Sequence, residues 1–248
     1  MDIMSDATYL NEPFTVTGPN VSYTEKAITA KYLHQTTEVV GRNVSVINEN
    51  MVFKTDRTVG KVGVMLVGWG GNNGTTATAG IIANKLGLSW MTKEGKVSSN
   101  YLGSLTQAST VRLGMNSAGE SVYIPFKNML PMVDPNNLVI GGWDISSMNI
   151  ADAMHRAQVL DYDLQQKLII HLEKLQPLPS IYHPDFIAKN QCDRADNLIE
   201  GSKKHQLETV RADIRNFKSK NKLDKVSLTC LHPTLRVSTI CIQRKSSY

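Results

Sequence analysis

Apolar and polar residues alternate in several short segments of the N-terminal part of the chain. Segments 36–40, 43–47 and 51–55 alternate in this way and are separated by the turn-forming residues 41–42 and 48–50. This pattern predicts a small antiparallel β meander. A short helix is predicted over residues 25–34, within an otherwise polar arm. We therefore assign residues 1–60 to an N-terminal arm and β meander.

The pattern changes at residue 61, where a buried parallel sheet is indicated. Residues 61–67 form a nearly continuous apolar run, which is typical of a strand buried on both faces. The run leads into the glycine-rich segment 68–74 and then into segment 75–86, whose Ala, Ile and Leu content predicts a helix. Strand, glycine-rich turn and helix in this order open a Rossmann unit, so the predicted fold class is α/β.

Further periodic segments continue the α/β pattern. Strands are predicted at 121–124 and 137–140, and the second is followed by two glycines and Asp144. A helical period covers 150–175 with a break near 161–163, and Ser146 or Ser147 is predicted to cap this helix. Segment 202–219 is predicted to be an amphipathic helix with one apolar face. That face consists of Leu207, Val210, Ile214 and Phe217.

The glycine-rich turn is the main candidate for chemistry. Its spacing, Gly68-x-Gly70-x-x-x-Gly74, is one residue longer than the usual dinucleotide fingerprint. No acidic residue follows until Glu94, so the usual ribose-binding acid is missing from its expected position. From the pattern alone the turn either binds a nucleotide phosphate at the helix N-terminus or simply joins a strand to a helix.

The other candidate groups leave alternatives open. Asp144 follows a predicted strand, where its carboxylate either binds a ribose or caps the next helix. The polar segment 191–197 either lines a substrate site or begins a helix. The six histidines are not spaced like metal ligands relative to Cys or acidic residues, so no metal site is expected.

Composition and charge narrow the class of protein. Of the 248 residues 41% are hydrophobic and 20% charged, as in globular proteins. No apolar run approaches the roughly 20 residues of a membrane span, and no secretory signal is evident. Three cysteines without a pairing rhythm suit a reducing compartment.

The net charge of +5 comes from the C-terminal part of the chain. Residues 201–248 contain eleven Lys or Arg and three acidic residues. This basicity indicates either a solvated helix face with a basic tail or a nucleic-acid surface. Because no aromatic residues are interleaved for stacking on bases, no nucleic-acid partner is expected.

Five motifs, in order, closely resemble the eukaryotic inositol-3-phosphate synthase (myo-inositol-1-phosphate synthase) family. They are GVMLVGWGGNNGT at 63–75, NYLGSLTQA at 100–108, LPMV at 130–133, GWDIS at 142–146 and RADNLI at 194–199. The likeness spans residues 18–226. It accounts for the long glycine turn, because the family uses this GxGGNNG form.

The resemblance implies a cytoplasmic, NAD-dependent isomerase of inositol and phospholipid biosynthesis. Such an enzyme converts D-glucose 6-phosphate to 1D-myo-inositol 3-phosphate, usually as a homotetramer. Matching positions imply that four residues hold the NAD pyrophosphate and that five more line the cofactor pocket. The first set is Gly70, Gly71, Asn72 and Asn73, and the second is Asp144, Ser180, Ile181, Gln191 and Arg194.

Two departures from the family shape the expected domain organisation. Residues 227–248 do not follow the family pattern, and the chain has about half the family's usual length. We therefore expect a Rossmann-like NAD-binding domain at 61–226, an atypical tail at 227–248, and no C-terminal catalytic and tetramerisation domain. The resemblance places the catalytic residues in that missing domain, so we expect a truncated chain that is inactive alone. The alternative is a non-catalytic NAD-binding module that pairs with partner subunits.

Overall fold

The protein is described by a computed structural model over residues 7–186 and 189–230. These residues contain twelve strands and five α-helices. The strands are β1 (Ala7–Tyr9), β2 (Val21–Tyr23), β3 (Ala27–Val40), β4 (Asn43–Asp56), β5 (Val62–Val67), β6 (Ser89–Thr92), β7 (Gly95–Ser98), β8 (Thr110–Met115), β9 (Ser121–Pro125), β10 (Val139–Asp144), β11 (Leu178–Pro179) and β12 (Lys225–Cys230). The helices are α1 (Asn72–Leu86), α2 (Leu105–Ala108), α3 (Ile150–Ala157), α4 (Tyr162–Leu172) and α5 (Lys203–Lys220).

The chain divides into two compact units. The first comprises the described residues up to Val59 together with Tyr101–Met132. It contains two three-stranded sheets, with strand orders β1-β9-β8 and β2-β3-β4. Residues 101–132, which the sequence analysis assigned to the Rossmann domain, therefore belong to the first unit. The predicted strand at 121–124 lies in β9 and pairs with β1 and β8 there.

The N-terminal meander is present, but its strands are longer than the sequence suggested. Strands β3 and β4 pair antiparallel over all 14 residues, around a turn in which Gly41 has φ +63°. The helix predicted at 25–34 is wrong, because residues 27–34 of that segment are paired in β3. The break predicted at 48–50 is also wrong: Asn48 faces Gln35 across the hairpin, and their side-chain amides are hydrogen-bonded at 2.9 Å.

The second unit, Gly60–Asn100 and the described residues from Val133 onward, contains the predicted parallel sheet. Its strand order is β11-β10-β5-β12, and every pair is parallel. Helix α1 follows β5, α3 and α4 lie between β10 and β11, and α5 precedes β12. Strand, helix and strand alternate as in a Rossmann unit, and strand order reverses at β5, so the predicted fold class is confirmed.

Helices cover both faces of this sheet. On one face α1, α3 and α4 form a core with β5, whose buried members are Leu66, Trp69, Ala79, Ala83, Ile150, Ala151, Met154, Leu164, Leu168 and Leu172. On the other face lies α5, whose Phe217 ring occupies the space above two strand glycines. A Cβ at Gly63 or at Gly141 would lie 2.7 Å from a Phe217 ring carbon. Glycine at these two positions therefore lets α5 approach the sheet closely.

Several element boundaries differ from those expected from the sequence. Helix α1 begins at Asn72 rather than at 75, and β10 covers Val139–Asp144 rather than 137–140. The predicted break of the 150–175 helix is present between α3 and α4. Strand β12 pairs with β5 through Cys230, so it crosses the boundary expected at 226. The remainder of the predicted tail, 231–248, lies outside the described residues.

Candidate functional site

The glycine turn joins β5 to α1 at the carboxyl end of the parallel sheet. Gly68 has φ +80°, a conformation that glycine adopts without steric cost. The N–H groups of Gly68 and Trp69 both donate to the Trp143 carbonyl, at 2.9 and 3.0 Å. The Trp69 ring is buried, and its indole N–H donates to Thr78 Oγ1 at 2.9 Å. The turn is thus fastened to β10 on one side and to α1 on the other.

Helix α1 starts directly at this turn. Its N-cap is Gly71, which has no side chain to accept a hydrogen bond, and no acidic residue lies in the first turn. A Cβ at Gly74 would lie 2.2 Å from the Trp69 carbonyl oxygen, so this position requires glycine for a close approach. Asn72 and Asn73 are exposed. No acidic side chain of the helix itself therefore balances the positive end of its dipole.

Asp144 contacts the glycine turn rather than capping a helix. Its side chain is 1% exposed, Oδ2 accepts the Gly70 N–H at 2.9 Å, and Oδ1 accepts the Ser146 N–H at 3.0 Å. The cap of α3 is Asn149, whose side chain accepts the Asp152 N–H at 2.9 Å. The alternatives of Asp144, Ser146 or Ser147 as the helix cap are therefore wrong. The carboxylate instead fixes the orientation of the turn.

Arg194 and Gln191 lie beside this carboxylate. Arg194 Nη1 is 3.4 Å from Asp144 Oδ1, and Arg194 Nε donates to Gln191 Oε1 at 2.5 Å. Arg194 Nη1 is buried and has no hydrogen-bond partner within the described residues. A buried cationic donor next to a helix N-terminus fits an anionic ligand oxygen. The turn and this donor therefore fit the pyrophosphate of a dinucleotide.

Ser180 and Ile181 follow β11 at the same end of the sheet. Ser180 is buried, forms a parallel bridge with Leu198, and donates its N–H to the Asn197 carbonyl at 2.9 Å. Asn197 Nδ2 in turn donates to the Asp144 carbonyl at 3.0 Å. Ile181 is exposed. Segment 191–197, for which a substrate loop or a helix start was expected, thus includes residues that contact Asp144.

Arg156 also contacts the glycine turn, although no feature of the sequence indicated this contact. Arg156 belongs to α3, and its Nη2 donates to the Gly70 carbonyl at 2.6 Å. Partial burial of the guanidinium and the nearby Arg194 lower the pKa of Arg156, whereas Asp144 raises it. Arg156 and Gly70 are 86 positions apart. Only the packing of α3 beside the turn brings these two residues together, so a spacing motif could not reveal the pair.

Two further features are absent from the described residues. Within 7–186 and 189–230, no group of three or more His, Cys, Asp or Glu side chains could hold a metal ion. No helix in these ranges is both long enough and apolar enough to cross a membrane.

Comparison with known proteins connects this site to one family. Residues 62–243 match the NAD-binding domain model described as myo-inositol-1-phosphate synthase. The match includes most of the 227–248 segment, for which a departure from the family was expected. The matched range contains the glycine turn, Asp144 and Arg194, and the domain that it describes binds NAD.

Individual relatives agree with the domain match. The chain is 52% identical over 233 residues to the inositol-3-phosphate synthase of Dictyostelium discoideum, covering 92% of this chain and 46% of the relative. It is 54% identical over 236 residues to inositol-3-phosphate synthase 1 of Oryza sativa subsp. japonica, with the same two coverages. The chain thus spans about half the length of the curated relatives that it matches.

A solved structure has the same fold. The crystal structure of the inositol-3-phosphate synthase of Caenorhabditis elegans superposes with a TM-score of 0.82 at 42% sequence identity. The superposition covers 89% of this chain and 44% of that chain. On the domain match and on these relatives, the chain belongs to the myo-inositol-1-phosphate synthase family.

Proposed function

We propose that this chain supplies the NAD-binding part of an inositol-3-phosphate synthase. The reaction is the isomerisation of D-glucose 6-phosphate to 1D-myo-inositol 3-phosphate, and the setting is a cytoplasmic homo-oligomer. The observation that carries the proposal is the contact between the glycine turn and the buried Asp144 carboxylate, together with the ion pair of that carboxylate with Arg194, whose Nη1 has no hydrogen-bond partner among the described residues. The family membership and the names of the relatives support the reaction.

The residues divide into two roles. Gly70, Gly71, Asn72 and Asn73 hold the pyrophosphate at the N-terminus of α1, where backbone N–H groups and the helix dipole stabilise negative charge. The other cofactor-pocket residues are Asp144, Ser180, Ile181, Gln191 and Arg194. Bound NAD supplies a reversible hydride acceptor for the sugar. This chain's own contribution is to bind and orient that cofactor.

Isomerase activity requires more than the groups at this site. Enolisation and ring closure need an acid–base group and an electrophile for the developing oxyanion, and the family uses lysines there. Every lysine in residues 7–186 and 189–230 is exposed. A catalytically low lysine pKa requires burial or a neighbouring cation in a pocket. We therefore propose that the 248-residue chain binds NAD but does not convert glucose 6-phosphate by itself.

Parallel measurements of binding and turnover test this proposal. NAD binding to the purified 248-residue chain is measured by calorimetry, and glucose 6-phosphate conversion is measured on the same sample. We expect saturable NAD binding without product. A chain that binds no NAD would contradict the cofactor role, and product formation without another subunit would contradict the assignment of catalysis elsewhere.

A pair of glycine variants tests the turn itself. A Cβ at Gly70 would lie 3.2 Å from Asp144 Cγ and Oδ2, so Gly70→Val forces this carboxylate to move. We expect Gly70→Val to abolish NAD binding while the circular dichroism spectrum is retained. The control is Gly80→Ala in helix α1, which follows the turn, because a Cβ at Gly80 meets nothing within 4 Å. Unchanged affinity in Gly70→Val would remove the turn from the cofactor site.

A non-catalytic module that binds NAD and pairs with complete subunits is the second candidate. The exposure of every described lysine favours it, since the site holds binding groups only. Addition of the chain to a full-length synthase distinguishes the two candidates. A change in the activity or subunit composition of that synthase supports the pairing module, and unchanged behaviour argues against it.

A further inference from the structure

Gly70 is held on both sides by oppositely charged side chains. Its N–H donates to Asp144 Oδ2 at 2.9 Å, and its carbonyl accepts from Arg156 Nη2 at 2.6 Å. The first bond orients the peptide between residues 69 and 70, and the second orients the peptide between Gly70 and Gly71. Both peptide planes that lead into α1 are thus set by side chains from β10 and α3.

The turn needs such external restraint because of its composition. Two adjacent glycines have the widest range of backbone conformations of any dipeptide, and fixing them costs the most conformational entropy. The Gly71 N–H donates within the turn, to the Gly68 carbonyl at 3.0 Å. The Gly70 carbonyl, by contrast, is paired with Arg156. Arg156 therefore restrains the one carbonyl that lies immediately before the helix N-cap.

Two guanidinium groups lie beside the glycine turn and its Asp144 carboxylate, and exposed Asp196 is a further negative charge near Arg194. Asp144 carries one negative charge, and the guanidinium groups of Arg156 and Arg194 carry two positive charges. Partial burial, and after it repulsion from the Arg194 cation, lower the pKa of Arg156. A bound pyrophosphate would relieve this repulsion and would use the positive end of α1 at the same time.

We propose that Arg156 is a positioning residue for the pyrophosphate of NAD and acts through the Gly70 carbonyl. Arg156 holds the glycine turn in the conformation that receives the anion, and its positive charge adds to the affinity. The inference rests on the proposed function, because it requires NAD to bind at this turn. It assigns to α3 a role in cofactor affinity in addition to its contribution to the core.

A purely structural role for Arg156 predicts different behaviour. A cation in the last turn of a helix stabilises that helix through its dipole, whatever ligand is present. Such a role would change thermal stability and leave NAD affinity of the folded chain unchanged. Ligand affinity and rescue by lysine therefore separate the two roles.

The experiment uses the full 248-residue chain and two ligands, NAD and ADP-ribose, which share the pyrophosphate. We expect Arg156→Met to weaken both ligands by about tenfold or more, as for loss of a charge-assisted hydrogen bond. Arg156→Lys should recover part of the affinity, because the positive charge is retained. The matched control Arg211→Met removes the same charge from an exposed Arg–Glu pair on α5 and should leave both affinities unchanged.

Each other outcome overturns the inference in a recognisable way. Equal affinities of Arg156→Met and the wild type refute the positioning role, and an equal loss in Arg211→Met assigns the effect to overall charge. Loss of NAD affinity with unchanged ADP-ribose affinity would place Arg156 at the nicotinamide instead. If Arg156→Met fails to fold, the neutral and shorter Arg156→Gln takes its place, and wild-type affinity of Arg156→Gln for both ligands refutes the positioning role. A wild-type chain that binds neither ligand refutes the proposed function itself.

Discussion

The substitution Asp144→Asn tests whether a buried carboxylate holds the glycine turn in place. Each oxygen of Asp144 accepts one backbone N–H, Gly70 at 2.9 Å and Ser146 at 3.0 Å. Asparagine offers one acceptor oxygen and one NH₂ group. In either orientation of the amide, one of the two N–H groups therefore faces another donor inside the protein.

The size of the effect follows from these contacts. A buried donor left without a partner costs about 1–3 kcal/mol. Loss of the negative charge weakens the remaining hydrogen bond and the 3.4 Å contact with Arg194. Because the Arg194 side chain is 31% exposed, solvent screens that contact, and we assign about 1 kcal/mol to it. The expected loss is about 2–4 kcal/mol, which corresponds to a fall in Tm of roughly 5–15 °C.

Thermal unfolding followed by tryptophan fluorescence measures this loss. Trp69 and Trp143 are both 3% exposed and belong to the same compact unit as Asp144. Asp196→Asn is the matched control, since exposed Asp196 accepts the Ser147 N–H at 2.7 Å and the Ser147 hydroxyl at 2.8 Å. The hydroxyl can reverse its role toward an amide, so we expect a change within about 0.5 kcal/mol. A Tm for Asp144→Asn equal to that of wild type or of the control would refute the reasoning.

Two other predictions concern stability. A Cβ at Gly142 would lie 2.1 Å from the Leu66 carbonyl oxygen, so Gly142→Ala should lower the free energy of unfolding by about 3 kcal/mol or more. The urea unfolding midpoint should fall for Gly142→Ala and not for the control Gly80→Ala. The hydrogen bond from Lys167 lowers the pKa of Asp163 in the folded chain. The unfolded chain therefore binds a proton at higher pH, and the stabilisation that ionised Asp163 gives the folded state is lost as pH falls below about 4. The Tm difference between wild type and Asp163→Asn should therefore shrink toward lower pH, and a constant difference would contradict the assignment.

Asp144 is linked to both arginines of the site, directly to Arg194 and through Gly70 to Arg156. Arg194 approaches Asp144 at 3.4 Å, and Arg156 binds the carbonyl of the glycine whose N–H the same carboxylate holds. Substitution of Asp144 therefore changes the surroundings of both guanidinium groups. We expect NAD affinity to fall in Asp144→Asn even where the chain remains folded.

The parts of the structure that the sequence predicted depend on local pattern. The apolar run that becomes β5, the glycine spacing of the turn and the apolar face of α5 each lie within a short stretch. In such stretches the residue types directly determine burial, backbone freedom and helical periodicity. The family motifs are also contiguous, and this is why the family and the fold class could be recognised before the structure was known.

Other features were decided only by tertiary structure. Residues 27–34 became strand because residues 49–56 of β4 pair with them, and this pairing overrides the local helical preference. Residues 101–132 joined the first unit through strands β1, β8 and β9, although they lie in sequence between β5 and β10.

Some residues of the candidate site could be identified from the sequence, and others only from the structure. The sequence determined the turn and, through the family motif, Asp144 and Arg194. It contained no sign that Arg156 would reach the Gly70 carbonyl across 86 positions. That contact exists because α1 and α3 pack together over a shared apolar core, and this packing brings Arg156 of α3 to the glycine turn that precedes α1. The hydrophobic effect that packs the two helices is non-directional and depends on the apolar area that is buried. The spacing of polar residues along the sequence therefore does not predict which polar groups the packing brings together.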